Sequence, residues 1–332
     1  MLDPIRLARE LIDIPSTTGE ERAAGELLHA LMERLTFRCS RQDLTEGRFN
    51  LLALGAEEPS VLFCSHIDTV PPFFASRDDA ETLYGRGACD AKGIIAAMIC
   101  AGERLLEAGR RDFGFLFVVG EETDSIGAKR ANEALSSHAG RYIVVGEPTE
   151  SRFVRASKGA LTCTIRFEGV AAHSAYPERG ESAILTMTKA IDAIDREEWG
   201  ESDIGKTTVN IGVVRGGAKP NIVPAEAEAE IMFRTAGPHR DVLARLETLL
   251  ASFGGKIVRW HGNDPTFMHV PEGEESIVVG FNTDAPHLPD LGKAILFGPG
   301  SILDAHTANE KITKREIFDA VETYAGLVRR LG

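Results

Sequence analysis

Four apolar runs, at 61–64, 113–119, 142–145 and 294–297, constrain the fold more than any other feature of the chain. A strand that is apolar throughout, rather than at alternate residues, is buried on both faces, and such strands belong to parallel sheets covered by helices. Between the first two runs Ile94, Ile95, Met98, Ile99, Leu105 and Leu106 keep helical spacing. Ahead of them Asp3-Pro4 predicts a helix start, with the helix running to about residue 12. Thr18-x-x-Glu21 reads as a capping box before a second helix that ends near residue 35. A last helix is expected over 314–331. The fold class is therefore α/β, a mostly parallel sheet covered by helices.

The rhythm changes after residue 157. Alternating strands are predicted at 161–167, 207–214 and 225–233, helices at 182–194 and 239–253, and a closing strand at 256–260. The order β-α-β-β-α-β is the ferredoxin-like split pattern. An α+β domain at 158–265 thus interrupts an α/β domain made of 1–157 and 266–332.

Composition narrows the class of partner. The 332 residues carry 50 acidic and 37 basic side chains, a net charge of −13, with no Lys/Arg cluster. Binding to nucleic acid or to anionic lipid is not expected. Asp3, Arg6, Arg9, Glu10 and Asp13 leave no room for a signal peptide in the first twenty residues. The apolar-rich run 93–102 is too short to span a bilayer. Five scattered cysteines (Cys39, Cys64, Cys89, Cys100, Cys163) fit reduced thiols of a cytoplasmic protein.

In a parallel sheet, functional groups collect beyond the carboxyl ends of the strands. His66 and Asp68 follow the first apolar run, Glu121 and Glu122 the second, Glu147 the third, and His306 lies in the loop after the fourth. Asp90, in "GRGACDAKG", opens the helix that contains Ile94. Singly, each has an ordinary reading as a strand-end ion pair, a helix-start acid or a solvated loop histidine. Together, two imidazoles and several carboxylates on one rim would repel unless cations lay between them. A paired N/O-ligand site suits Zn²⁺, with Co²⁺ or Mn²⁺ as substitutes.

"HIDTV", "GRGACDAKG", "GEETDSIGA", "VGEPT", "AHSAYP" and "AHTANE", in this order, resemble the motifs of the di-zinc amidohydrolases. That family includes acetylornithine deacetylase, succinyl-diaminopimelate desuccinylase, aminoacylase and glutamate carboxypeptidase. The resemblance runs from about residue 10 to 325 and implies a zinc-exopeptidase-like catalytic domain with an inserted lid or dimerisation domain. It implies that His66, Asp90 and Glu147 hold one zinc and Asp90, Glu122 and His306 the other. Asp68 would orient His66 through its second ring nitrogen, and Glu121 would be the general base for water held between the metals as hydroxide. His173 of "AHSAYP" would stabilise the oxyanion in the other subunit's site of a homodimer formed through the inserted domain. Arg234, Asn221 and the backbone N–H groups of Gly298, Gly300 and Ser301 would receive the substrate carboxylate.

The implied activity is hydrolysis of the amide bond of a small-molecule N-acyl amino acid. N-acetylornithine or a related basic amino acid leads, because "GPGSILDAHTANE" looks closest to the acetylornithine deacetylase type and Glu147 stands where aminopeptidases of the family carry Asp. The alternatives within the family are a succinyl-diaminopimelate desuccinylase and a carboxypeptidase or dipeptidase. The segment "PPFFASRDDAETLY" lacks the tryptophan common in relatives, which bears on substrate identity. Outside the family, an NAD-binding oxidoreductase would need a glycine where Asp90 stands, and a carboxylate there would face the pyrophosphate. A non-catalytic metal-binding protein would have no use for Glu121.

Overall fold

The structure, a computed structural model, describes residues 1–45, 47–135 and 140–332. The four apolar runs form the strands Val61–His66, Phe113–Val118, Tyr142–Val145 and Lys293–Leu296 of one sheet. Val61–His66 pairs in parallel with Phe113–Val118 on one side and Tyr142–Val145 on the other. Tyr142–Val145 in turn pairs in parallel with Lys293–Leu296. An antiparallel hairpin, Arg38–Thr45 with Arg48–Leu54, extends the sheet beyond Phe113–Val118. This hairpin goes beyond the elements expected from the sequence, because its outer strand is charged and mostly exposed and carries no apolar signal.

The uniform apolarity of the parallel strands has the expected origin. Val61, Phe63, Phe113, Phe115, Phe117, Val144 and Ile295 pack into one cluster with Leu7 and Leu11, Ile95 and Ile99, and Val321 and Tyr324. These partners come from the helices Pro4–Ile12, Lys92–Glu107 and Lys314–Leu331. The alternate residues Leu62, Cys64, Leu116, Ile143 and Leu296 point to the other face and are buried as well. At ~25 cal/mol per Å², each such side chain contributes about 1.5–3 kcal/mol of burial.

Helix starts follow the sequence in part. Asp3 caps the first helix by accepting the N–H groups of Ile5 and Arg6 at 2.8 and 3.2 Å. The capping box expected at Thr18-x-x-Glu21 does not form. The second helix spans Arg22–Arg34, and its N-cap, Glu21, makes no side-chain cap. The two residues are engaged elsewhere: the Thr18 hydroxyl donates to Asp68 Oδ2 at 2.7 Å, and buried Glu21 pairs with Arg48 at 2.6 Å.

Contacts divide the chain into two units. The first comprises Met1–Arg155, Met268–Ile277 and Thr283–Gly332; the second comprises Ala156–Phe267 and Val278–Asn282. The second has a four-stranded antiparallel sheet in the order Thr208–Gly216, Glu226–Thr235, Gly159–Glu168, Lys256–Asn263. Helices Ala183–Arg196 and His239–Ala251 place Met187, Ile194, Leu246 and Leu250 against Leu161, Ile165, Ile231 and Phe233 of that sheet. All five cysteines are free. Among the described residues no helix is long and apolar enough to cross a membrane.

Candidate metal centre

The first unit's parallel strands end in the side chains that the sequence singles out. His66 is the last residue of its strand and is buried. Its Nε2 lies 3.0 Å from Asp90 Oδ1. The other oxygen of Asp90, Oδ2, lies 3.3 Å from Nε2 of His306. His306 also approaches Glu122, at 2.9 Å from Oε2. One buried carboxylate therefore stands between two imidazoles, an oxygen toward each. Ligand atoms of His66, Asp90 and Glu122 all lie within 4.8 Å of one another.

Asp68 meets the His66 ring more closely through its main chain than through its carboxylate. His66 Nδ1 sits 3.0 Å from the backbone carbonyl of Asp68 and 3.6 Å from its carboxylate. The ring is oriented by the main chain, which fixes the tautomer as well as a carboxylate would. The carboxylate instead caps the turn after Val118. Its Oδ1 accepts from the N–H groups of Gly120 and Glu121 at 2.9 and 3.2 Å, and Oδ2 accepts from that of Glu122 at 3.2 Å. The opening of the Glu121-Glu122 pair is thus held by a buried acid two residues beyond the neighbouring strand.

Burial dominates the electrostatics. It pushes the carboxyls of Glu121 and Glu147 well above the usual range, and mutual repulsion with Asp90 adds to the effect. Burial acts the same way on Asp90, but hydrogen bonds from His306 and His66 outweigh it and hold this carboxylate low. Hydrogen bonds to Asp90 and Glu122 raise His306 to about 10. His66 is raised too, its carboxylate neighbours overcoming a burial effect that opposes the charged ring. Asp284 joins the group: burial, aided by the charge of Asp68, lifts it to about 6, and its Oδ1 has no hydrogen-bond partner among the described residues. Asp284 carries the same sequence signal as the others, an acid shortly after a strand, but Ser276–Val279 is too short and exposed to be read as one.

The donor set suits divalent cations. Two imidazoles and a cluster of buried carboxylates are what a paired cation site requires. Nothing comparable supports a dinucleotide at Gly85 and Gly87, whose turn is filled by Glu310 and the Lys92 stem.

The remaining expected residues are distributed as follows. The N–H of Gly298, expected to meet substrate, donates instead to Thr149 Oγ1 at 3.0 Å. A Cβ there would fall 2.3 Å from the Glu147 carbonyl, so this glycine serves close packing beneath a site residue. Gly300 has φ +82°, and Ser301 Oγ lies 3.3 Å from Glu150 Oε1. His173, Asn221 and Arg234 belong to the second unit. His173 is exposed, with Nδ1 accepting the Ala175 N–H at 3.1 Å. Asn221 is exposed at the turn that precedes Ile222, and its carbonyl accepts the Ser174 N–H. Arg234 is partly buried at the end of its strand, which lowers its pKa by desolvation.

A parallel sheet whose carboxyl ends gather two histidines, a shared aspartate and a pair of buried glutamates defines a metal-dependent hydrolase. The chain belongs to peptidase family M20/M25/M40, whose sequence model matches residues 62–330. It is 37% identical to a probable carboxypeptidase of Aspergillus flavus over 368 aligned positions, covering 96% of this chain and 88% of that one. The fold is that of a Staphylococcus aureus tripeptidase, with a TM-score of 0.83 at 23% identity and 99% and 98% of the two chains covered. A dinuclear metal binding peptidase of the family from Bacillus subtilis superposes with a TM-score of 0.71 at 16% identity, over 98% and 96% of the chains.

Proposed function

We propose that the chain is a two-metal carboxypeptidase or N-acyl amino acid hydrolase, cutting the amide bond next to a free α-carboxylate. The observation that carries this reading is Asp90, with one oxygen 3.0 Å from His66 and the other 3.3 Å from His306. In it His66, Asp90 and Glu147 hold one Zn²⁺, and Asp90, Glu122 and His306 hold the second, with Co²⁺ or Mn²⁺ as substitutes. Such ions, when bound, supply an acidified water and a polarised carbonyl.

The chain's own groups do the rest. Glu121, raised by burial, accepts the water proton and returns it to the departing amine. Asp68 fixes the Glu121 peptide so that the carboxylate starts from one backbone position. Among the described residues no carboxylate acts on the Arg234 guanidinium, which leaves its fork for a substrate carboxylate, with Asn221, Gly300 and Ser301 as further contacts. His173 donates to the developing oxyanion, from the second copy of a homodimer in the form the family resemblance gives it. Five free thiols suit the reducing cytoplasm.

A peptide's last residue and an N-acyl amino acid present the same reacting unit, acyl–NH–CHR–COO⁻. The name of the Aspergillus flavus relative supports the peptide. The "GPGSILDAHTANE" segment and Glu147 support N-acetylornithine as a second reading. Free-amine release should be followed after metal depletion and reloading with Zn²⁺ or Co²⁺, on blocked dipeptides, N-acetylornithine, N-acetyllysine and N-succinyl-diaminopimelate. Metal-dependent release from blocked dipeptides with a free carboxylate, lost when that carboxylate is amidated, is the expected result. Equal release from the amidated forms would show that no free carboxylate is required and remove Arg234 from the reading.

A further inference from the structure

We infer that Glu310 is a positioning residue that presets the main chain of Asp90 for cation binding, an inference that rests on the two-metal reading above. Glu310 is fully buried, four residues after His306 in "HTANE". Its Oε1 accepts the N–H groups of Gly87 at 2.9 Å, Asp90 at 3.2 Å and Cys89 at 3.3 Å. Its Oε2 accepts from Arg86 Nη1 at 2.5 Å, and its backbone carbonyl accepts the Gly85 N–H at 3.1 Å. The whole turn that delivers Asp90 is thereby gathered around one side chain.

A simple structural anchor would not need a charge at this place. Three N–H groups converging on one oxygen are held about twice as strongly by a carboxylate as by a neutral acceptor. Arg86 is the matching countercharge, itself buried, over the Phe74 ring at 4.9 Å and donating through Nε to Pro72 O at 3.3 Å. The pair leaves the Asp90 side chain as the free end of the turn, directed at His66 and His306. Glu310 also lies on the segment that carries His306, so one residue ties together two segments that contribute to one proposed metal position. Ordering done in advance is not subtracted from the binding free energy when a cation arrives.

Co²⁺ titrated calorimetrically into the chelator-treated full chain tests this. The wild type takes two equivalents, and Glu310→Gln is expected to bind them at least tenfold more weakly, the range seen for partners that orient metal ligands. Turnover of the variant should recover as Co²⁺ is raised, and its Co²⁺ absorption spectrum should match the wild type at saturation. A variant with a lowered melting temperature and wild-type Co²⁺ affinity would reduce Glu310 to a structural anchor and overturn the inference. A wild type that takes up no metal would instead remove the two-metal reading itself. Should Glu310→Gln not fold, amide exchange in the metal-free wild type decides. Slow exchange at Gly87, Cys89 and Asp90 before metal addition is expected, and protection only after metal addition would refute presetting.

Discussion

The backbone N–H of Glu121 donates to Asp68 Oδ1 at 3.2 Å, so the proposed base is held through its own peptide by an acid on the neighbouring strand end. The same carboxylate takes the N–H groups of Gly120 and Glu122 and the Thr18 hydroxyl. All its acceptor positions are filled. Asp68→Asn would place an amide NH₂ against at least one of these donors. Turnover should fall about 10- to 100-fold, in line with the loss of an orienting partner. Unfolding free energy should drop by about 1–3 kcal/mol for the donor left unpaired in the interior. Thr18→Val removes only one hydroxyl and should leave kcat/KM within a few-fold of the wild type. Equal losses in the two variants would show that the Gly120–Glu122 turn does not depend on the Asp68 charge.

Glu121→Gln separates chemistry from metal binding. Glu121 is outside both proposed ligand sets, and burial already raises its carboxyl, so a neutral side chain is tolerated there. The variant should keep two metal equivalents and its melting temperature, and lose turnover by about 10²–10⁴-fold. Metal content by elemental analysis and kcat on the same preparation give both readouts. Near-normal kcat would assign the proton transfer to another group.

The two proposed metal positions differ in access. His306 has a side chain 49% exposed, whereas that of His66 is 1% exposed. His306→Ala should therefore leave the buried position occupied and reduce the stoichiometry from two to one. In the wild type a chelator should remove one equivalent faster than the other. Two equivalents in His306→Ala would mean that the Glu122 and Asp90 carboxylates suffice and that His306 has another task.

Arg234 bears on substrate rather than metal. Arg234→Met should raise KM for carboxylate-bearing substrates by about 10–100-fold, the worth of a charge-assisted hydrogen bond of about 1.5–3 kcal/mol. Amidated substrates should show no such change. A uniform loss on both would point to a packing role for the half-buried stem.

The strand ends were legible because each parallel strand announces itself by two-sided burial, and polar residues just after such a run stand out. His66, Glu121, Glu122, Glu147 and His306 all come from that signal. The partners of those residues were not legible, because they depend on which main-chain group lies within reach. The family resemblance assigns the Asp68 carboxylate to the His66 ring, yet the strand ends at His66, and the carbonyl of Asp68 lies nearer the ring than its carboxylate does. Thr18-x-x-Glu21 has the letters of a capping box, but long-range partners Asp68 and Arg48 claim both side chains. Glu310 lay inside a quoted motif without a role, since its contacts with Gly87 and Asp90 span more than two hundred residues.

The raised His306 ring gives a pH dependence with a definite sign. In the metal-free protein His306 lies at about 10, above its ordinary 6.5, because Asp90 and Glu122 favour the protonated ring. The stabilisation from that charged ring is fully present below about 6.5 and is lost as pH rises through about 10. A cation on the same nitrogen requires the neutral ring, so uptake must expel the proton throughout this window. Metal affinity should therefore climb with pH from about 6.5 toward 10, and the melting-temperature gap between loaded and metal-free protein should widen over the same range. Calorimetric titration of Zn²⁺ near neutral pH, in two buffers of different ionisation enthalpy, counts the protons directly. Wild type should release more protons than His306→Ala, by close to one per chain. The same count in both proteins would place His306 outside the metal site, whatever its distance from Asp90.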